Sequence, residues 1–420
     1  MAIERASDPA RPLIRRARAT AAARSHDAPV RIAVIGLALL LVGLALAASA
    51  ARADDDIRRV RTADGDRLLV ARDAFRQVLD ADTGQVEQQL TFNGHTQIVD
   101  FAGADDAWYV SGYEHINGLH RLFVLRGNRA GVYALPRPTA PVSATRADGA
   151  SEPLQLGPVL FTDRNGLHGA AWLIGAHVQA LGVYVADWDG RSWSTPVEIS
   201  PAGAGSQLAP AAAVLADGTW LLAWSAHDGV DDEIHYSLRD RDGLWRAPAK
   251  VERIDDRTPD ITPAVVALPD GGALLAWSAY DGRDYRLQIS RLETGAADAA
   301  RWSAPRTPDA VGRGAVFPRF ETAFAASGDG AYLLTRAVAP AAWTLLHLAD
   351  DGTTRRAAQM TTDALRRPLP IAQENGVLLR WWMPPEASAT PASALTPHRV
   401  PATERVVPWT PAGGGTTNER

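Results

Sequence analysis

Several short stretches set aromatic rings beside titratable groups. They are Tyr113-Glu114-His115, His227-Asp228, and Tyr280-Asp281 followed by Arg283-Asp284. Each follows an apolar run that ends at a turn. A flat ring offers a face for stacking, and carboxylate or guanidinium groups add directed, paired hydrogen bonds. That set suits a polyhydroxylated ring. Asp260, Arg319 and Trp381 extend it to neighbouring stretches, and Arg336 adds a second cation. Glu114 is the candidate general acid, because no equivalent stretch carries a Glu there. Arg319 and Arg336 are candidates for holding an anion. A structural reading competes at each point. Asp228-Gly229 and Asp281-Gly282 occupy equivalent positions and suit turns, while His227 and Tyr280 repeat as packing residues would.

Those stretches belong to a repeat. Trp172, Trp224 and Trp277 recur at near-constant spacing, as do Pro158, Pro210, Pro263 and Pro318, and Trp193, Trp245 and Trp302. A period of roughly fifty residues indicates a propeller or a related array. Within one unit, 264–268, 273–279 and 285–292 read as strands separated by Pro-Asp-Gly-Gly and Asp-Gly turns, with a last edge strand beyond Trp302. Four antiparallel strands per unit make a blade. The central strands are almost wholly apolar, as expected where blades cover both faces. No helical periodicity of any length follows Asp54. Six units span about 92–405, and the shorter unit 57–90 completes or adds a blade. The fold expected is all-β: a single β-propeller over 54–405 with six or seven blades, seven favoured, closed by joining N- and C-terminal strands. Residues 384–399 read as a loop in the last blade and 406–420 as an unstructured tail.

The N-terminus has a different texture. Residues 1–31 carry seven Arg against Glu4, Asp8 and Asp27. Ile32 to Ala47 is unbroken apolar sequence, and small residues lead to Asp54-Asp55-Asp56. Basic flank, apolar centre and small-residue end match an export signal. Residues 32–53 are therefore a cleaved signal or an uncleaved anchor. Either way, the folded part lies outside the cytoplasmic membrane, periplasmic or secreted.

Composition narrows the function classes. The chain has no Cys, which excludes disulfides, thiolate metal sites and a Cys nucleophile. Net charge is −5, so no global basic field favours nucleic acid. Lys250 is the only Lys. No Gly-rich phosphate loop opens a helix, and neither the zinc-protease His-Glu-x-x-His nor a Gly-x-Ser-x-Gly elbow occurs. His115, His177 and His227 lack local ligand spacing, so no metal or other cofactor is implied. Asp187-x-Asp189 and Asp240-x-Asp242 resemble the start of a calcium loop but lack its distal Glu, which leaves turn capping as their role.

The stretches Asp189-Gly190-Arg191-Ser192-Trp193 and Asp242-Gly243-Leu244-Trp245, with Arg301-Trp302-Ser303, resemble the Asp-box turn of sialidase-type propellers. That turn joins a blade's third and fourth strands. The resemblance covers about 150–310 and is degenerate. It implies the fold more than an activity, because the family's arginine triad and Tyr/Glu pair have no counterpart by motif. Two functions follow as expectations. One is an exported monomeric propeller that binds a glycan or a protein partner at its channel mouth, touching membrane only through its N-terminal segment. The other is an exo-glycosidase of sialidase type acting on an anionic sugar.

Overall fold

The computed structural model describes residues 56–72, 75–92, 95–117, 119–127, 132–135, 153–200, 205–251, 257–293, 301–314, 316–320, 330–338, 341–361, 369–373, 376–382, 402–408 and 410–411. The N-terminal segments 1–31 and 32–53 lie outside them, as do 384–399 and 412–420. The described residues hold strands and turns, with no helix.

Among the described residues, seven antiparallel sheets follow one another along the chain. Blades one to five span 56–89, 95–134, 154–198, 207–250 and 260–302, each a four-stranded meander. Blade six spans 316–361 and gains a fifth strand, Thr410–Pro411. Blade seven, 369–408, has three described strands. The first strands of consecutive blades from one to six pack side by side. Leu369–Gln373 of blade seven lies beside Asp56–Thr62 of blade one, so the blades form a ring.

Of the two outcomes expected for the short N-terminal unit, the second holds: it adds a blade, forming blade one by itself. Two other expectations are corrected here. No described sheet joins N- and C-terminal strands. Instead Thr410–Pro411 pairs with the outer strand of blade six, and Ala402–Pro408 is a strand of blade seven. The tail expected from 406 therefore begins too early. Its Val406-Val407 pair continues a strand, with Val407 buried.

The tryptophan beat reflects blade-on-blade packing. Trp108, Trp172, Trp224 and Trp277 sit on second strands and are at most 1% exposed. Each packs into the preceding blade. Trp172 lies in one core cluster with Tyr109 and Val124 of blade two, Trp224 with Phe161 and Val183 of blade three, and Trp277 with Leu221 and Ile234 of blade four. Burying these large rings between blades helps drive the stacking of one blade on the next.

The proline beat marks a bulge. The first strands slip register between Leu208 and Ala211, Ile261 and Ala264, and Val316 and Arg319, with a matching slip across Leu156 to Val159. Pro210, Pro263, Pro318 and Pro158 fall inside these slips, where a missing N–H costs no ladder bond. Gly157, Ala209 and Thr262, just before three of them, have φ of +62°, +48° and +54°. The serines of preceding blades reach these strands. Ser111 Oγ donates to the Pro158 carbonyl, and Ser225 Oγ to the Asp260 carbonyl at 2.8 Å. Bulge and serine together tie each first strand to the blade before it.

One buried contact breaks the repeat. Trp224 Nε1 donates to Gln207 Oε1 at 2.6 Å, whereas the Trp277 N–H has no hydrogen-bond partner among the described residues. Trp224→Phe should therefore lower stability by about 1 kcal/mol more than Trp277→Phe. Urea-unfolding midpoints of the two variants test this, and equal shifts would contradict it.

Candidate functional site

Loops between second and third strands emerge at one end of the blades, beside the start of each first strand. In blade four the second strand ends at His227 and the third starts at Asp232, its direct register partner. In blade five the equivalent pair is Tyr280 and Tyr285, whose ring centroids lie 5.3 Å apart. The intervening turns are built by Asp228 and Asp281. Asp228 Oδ1 accepts the Val230 and Asp231 N–H groups, and Asp281 Oδ1 those of Arg283 and Asp284. Those bonds and the Arg286 guanidinium hold the Asp281 carboxyl far below the usual carboxylate range. The turn-forming role weighed for both Asp residues is thus what the geometry shows.

Behind these turns lies a buried acidic cluster. Asp231, Asp232 and Glu233 are 7%, 6% and 3% exposed. Asp260, the first residue of its strand, is 7% exposed. Burial pushes the Asp232 carboxyl up, opposed by His227, whose Nδ1 lies 3.7 Å away. Burial also pushes Glu233 up, to about 7, although Lys250 opposes it. Lys250 Nζ reaches Asp228 Oδ2 at 2.9 Å and Glu233 Oε1 at 3.3 Å. Burial acts against the Lys250 charge, but these two carboxylates raise its pKa overall. Burial pushes the Tyr285 hydroxyl up to about 12, and the charges of Asp232 and Asp260 add to the shift. Tyr285 thus has a carboxylate of blade four and one of blade five as neighbours. The seam carries rings, a protonatable carboxyl and hydrogen-bond acceptors.

The expected residues scatter around this seam. His227, Asp228, Asp260, Tyr280, Asp281 and Asp284 lie in it. Arg283 is exposed beside Asp284, at 3.6 Å. Tyr113, Glu114 and His115 sit at the corresponding end of blade two, but not on a loop. The strand Trp108–Ile116 carries them to a turn at Asn117, with φ of +51°. Glu114 faces Thr96 and Arg121 across the ladders, which corrects its reading as a loop acid. Tyr113 is half-buried, and burial pushes its hydroxyl up to about 12. Arg319 is the fourth residue of Val316–Phe320, beyond the bulge. Arg336 pairs with Val316 and Arg319 with Leu334, so the two cations stand at different levels of blade six. Trp381 lies on Gly376–Trp382 of blade seven, and its side chain is outside the described set.

Glu233, Tyr285 and Lys250 were not singled out by pattern. Asp232 and Tyr285 are repeat-mates of different chemistry, and Lys250 is unique in the chain. Those departures from the repeat were the available signals. The Trp-bearing turns do join third and fourth strands. Trp188 and Trp193 bridge in blade three, where Asp189 Oδ1 accepts the Arg191 and Ser192 N–H groups. In blade four the cap is Asp240, not Asp242: its Oδ1 accepts the Leu244 N–H at 2.9 Å.

No family model matches the sequence, that of the sialidase-type propellers included, and no curated protein matches it. Among solved structures the chain is similar to the polysaccharide lyase Uly1, at 10% identity over 84% of this chain and 89% of that one, with a TM-score of 0.45. It is similar to a protein of unknown function from Dyadobacter fermentans, at 13% identity over 72% and 93%, TM-score 0.41. It is also similar to an endo-arabinase from Bacteroides thetaiotaomicron, at 11% identity over 59% and 96%, TM-score 0.34. Likenesses this distant assign no chemistry, so the site rests on its own residues.

Glu233 sets a pH dependence. Its folded pKa, about 7, lies above the ordinary value of 4.5. Between the two, the unfolded chain has released a proton that the folded chain keeps. This group's contribution to stability therefore falls as pH rises through that window. Glu233→Gln should flatten the urea-unfolding profile between pH 5 and pH 7, within roughly the window so defined. An unchanged slope would contradict the assignment.

Proposed function

We propose that this propeller binds an uncharged glycan at the seam between blades four and five. The supporting observation is the seam itself: the Tyr280–Tyr285 pair, 5.3 Å between ring centroids, stands beside the buried carboxylates Asp232 and Asp260. Tyrosine rings give a sugar its stacking faces, and the carboxylates accept from its hydroxyls. The acidic balance there opposes an anionic sugar. Arg319 and Arg336, the candidates for holding one, are in blade six. The basic, then apolar, N-terminal sequence supports work outside the cytoplasmic membrane. Screening the protein against immobilised neutral and anionic oligosaccharides tests the proposal. Neutral glycans should be retained, and Tyr280→Ala should weaken binding about tenfold or more. Retention of anionic glycans alone, or full affinity in Tyr280→Ala, would overturn it.

A second reading, hydrolysis of the bound glycan, is favoured by one observation. Burial raises Asp232 and Glu233, while backbone bonds lower Asp281, so carboxyls of opposed proton affinity share one rim. Pairs pushed apart in this way serve as acid and base. Release of reducing ends, abolished by Asp232→Asn, would establish turnover. Binding without release would leave the seam a recognition site.

A further inference from the structure

The register of blade two brings together three histidines that are scattered in sequence. His95 opens the first strand, His115 lies near the end of the second, and His120 is near the start of the third. His95 is the direct partner of His115, and His115 of His120. Direct partners project from the same face of a sheet, with Cβ atoms about 5 Å apart. The three side chains therefore leave one face of the blade side by side, at the end that carries the seam's loops, although their ring nitrogens do not all converge within 4.8 Å of one another.

We propose that this row binds a borderline divalent transition-metal ion of the zinc class through imidazole nitrogens. The His115 and His120 ring centroids are 5.0 Å apart, at an interplanar angle of 85°. A metal at roughly 2.0–2.1 Å from each nitrogen sits about 3.2 Å from each ring centroid, and a tetrahedral angle then puts the centroids about 5.2 Å apart. The observed pair has that separation. His95 and His115 are exposed, so His95 can swing in and water can complete the shell. Support comes from beneath. The Tyr113 ring packs against His120 at 5.3 Å, and its hydroxyl donates to Gln97 Oε1. Such outer contacts orient metal-bound imidazoles. Imidazole donors without carboxylates favour Zn²⁺, Ni²⁺ or Cu²⁺ over Ca²⁺ or Mg²⁺. The acidic trio Asp228, Asp231 and Glu233 also converges, within 4.8 Å, but the Lys250 ammonium is bound between two of its members.

Calorimetric titration of the untagged full-length protein with Zn²⁺ tests the site. Saturable binding of one ion is expected. His115→Ala and His120→Ala should each weaken it about tenfold or more, as loss of a ligand must cost at least what loss of a second-shell partner costs. Asp228→Asn should leave it unchanged. A direct readout needs no variant. Cu²⁺ bound to the wild-type protein should show electron-resonance splitting from at least two nitrogens. No saturable binding, an oxygen-only Cu²⁺ spectrum, or affinity untouched in His115→Ala would each overturn the proposal.

Discussion

The sheets of blades two to five are each apolar on both faces, so each must be covered twice. The second strands Trp220–His227 and Ala273–Tyr280 are buried almost throughout. A single sheet with that pattern would leave a large apolar face in water. Stacking blades solves the problem for every sheet except the first and last. Ring closure solves it for those too, by setting blade seven beside blade one. The remaining exposed edges are kept short. The outer strands Val197–Glu198, Ala249–Lys250 and Arg301–Trp302 have two residues each, which offers little template for pairing with another chain. Polar ties reinforce the stack where apolar contact thins. Arg239 lies over the Trp220 ring at 4.3 Å and reaches Asp187 of the preceding blade at 2.6 Å.

The same constraint explains why the architecture was readable from spacing alone. Trp172, Trp224 and Trp277 recur because each fills the same gap between blades. Pro158, Pro210, Pro263 and Pro318 recur because each occupies the same bulge. What spacing could not convey was pairing between distant strands. Thr410–Pro411 is too short to carry a pattern, and its place on blade six is fixed by a partner near Arg356. Glu114 reads as a loop residue because its stretch follows the apolar run from Trp108. The strand in fact runs on to Ile116, since both neighbouring strands continue to pair with it.

The site was legible only where it departs from the repeat. Asp228 and Asp281 repeat, and both prove to be turn formers. His227 and Tyr280 sit at one position, and Asp232 and Tyr285 at another, yet their chemistry changes between blades four and five. A fold that needs only turns and packing there has no reason to exchange an aromatic pair for an imidazole and a carboxylate. The buried acids beside them destabilise the folded state at neutral pH, a cost that a packing role would not demand. Blade two shows the complementary limit. Its histidine row is invisible along the chain and appears only in the strand register.

The ring is the claim that sets where the blade ends lie relative to one another, since an open stack would place them along a line. The absence of native Cys makes it directly measurable. Spin labels attached at Asp64→Cys, in the first hairpin of blade one, and Gln373→Cys, at the corresponding turn of blade seven, report that distance by pulsed electron resonance. A ring predicts a separation shorter than that between Asp64→Cys and Asp217→Cys of blade four. A longer separation would mean that blades one and seven are the two ends of an open array, and would contradict the account.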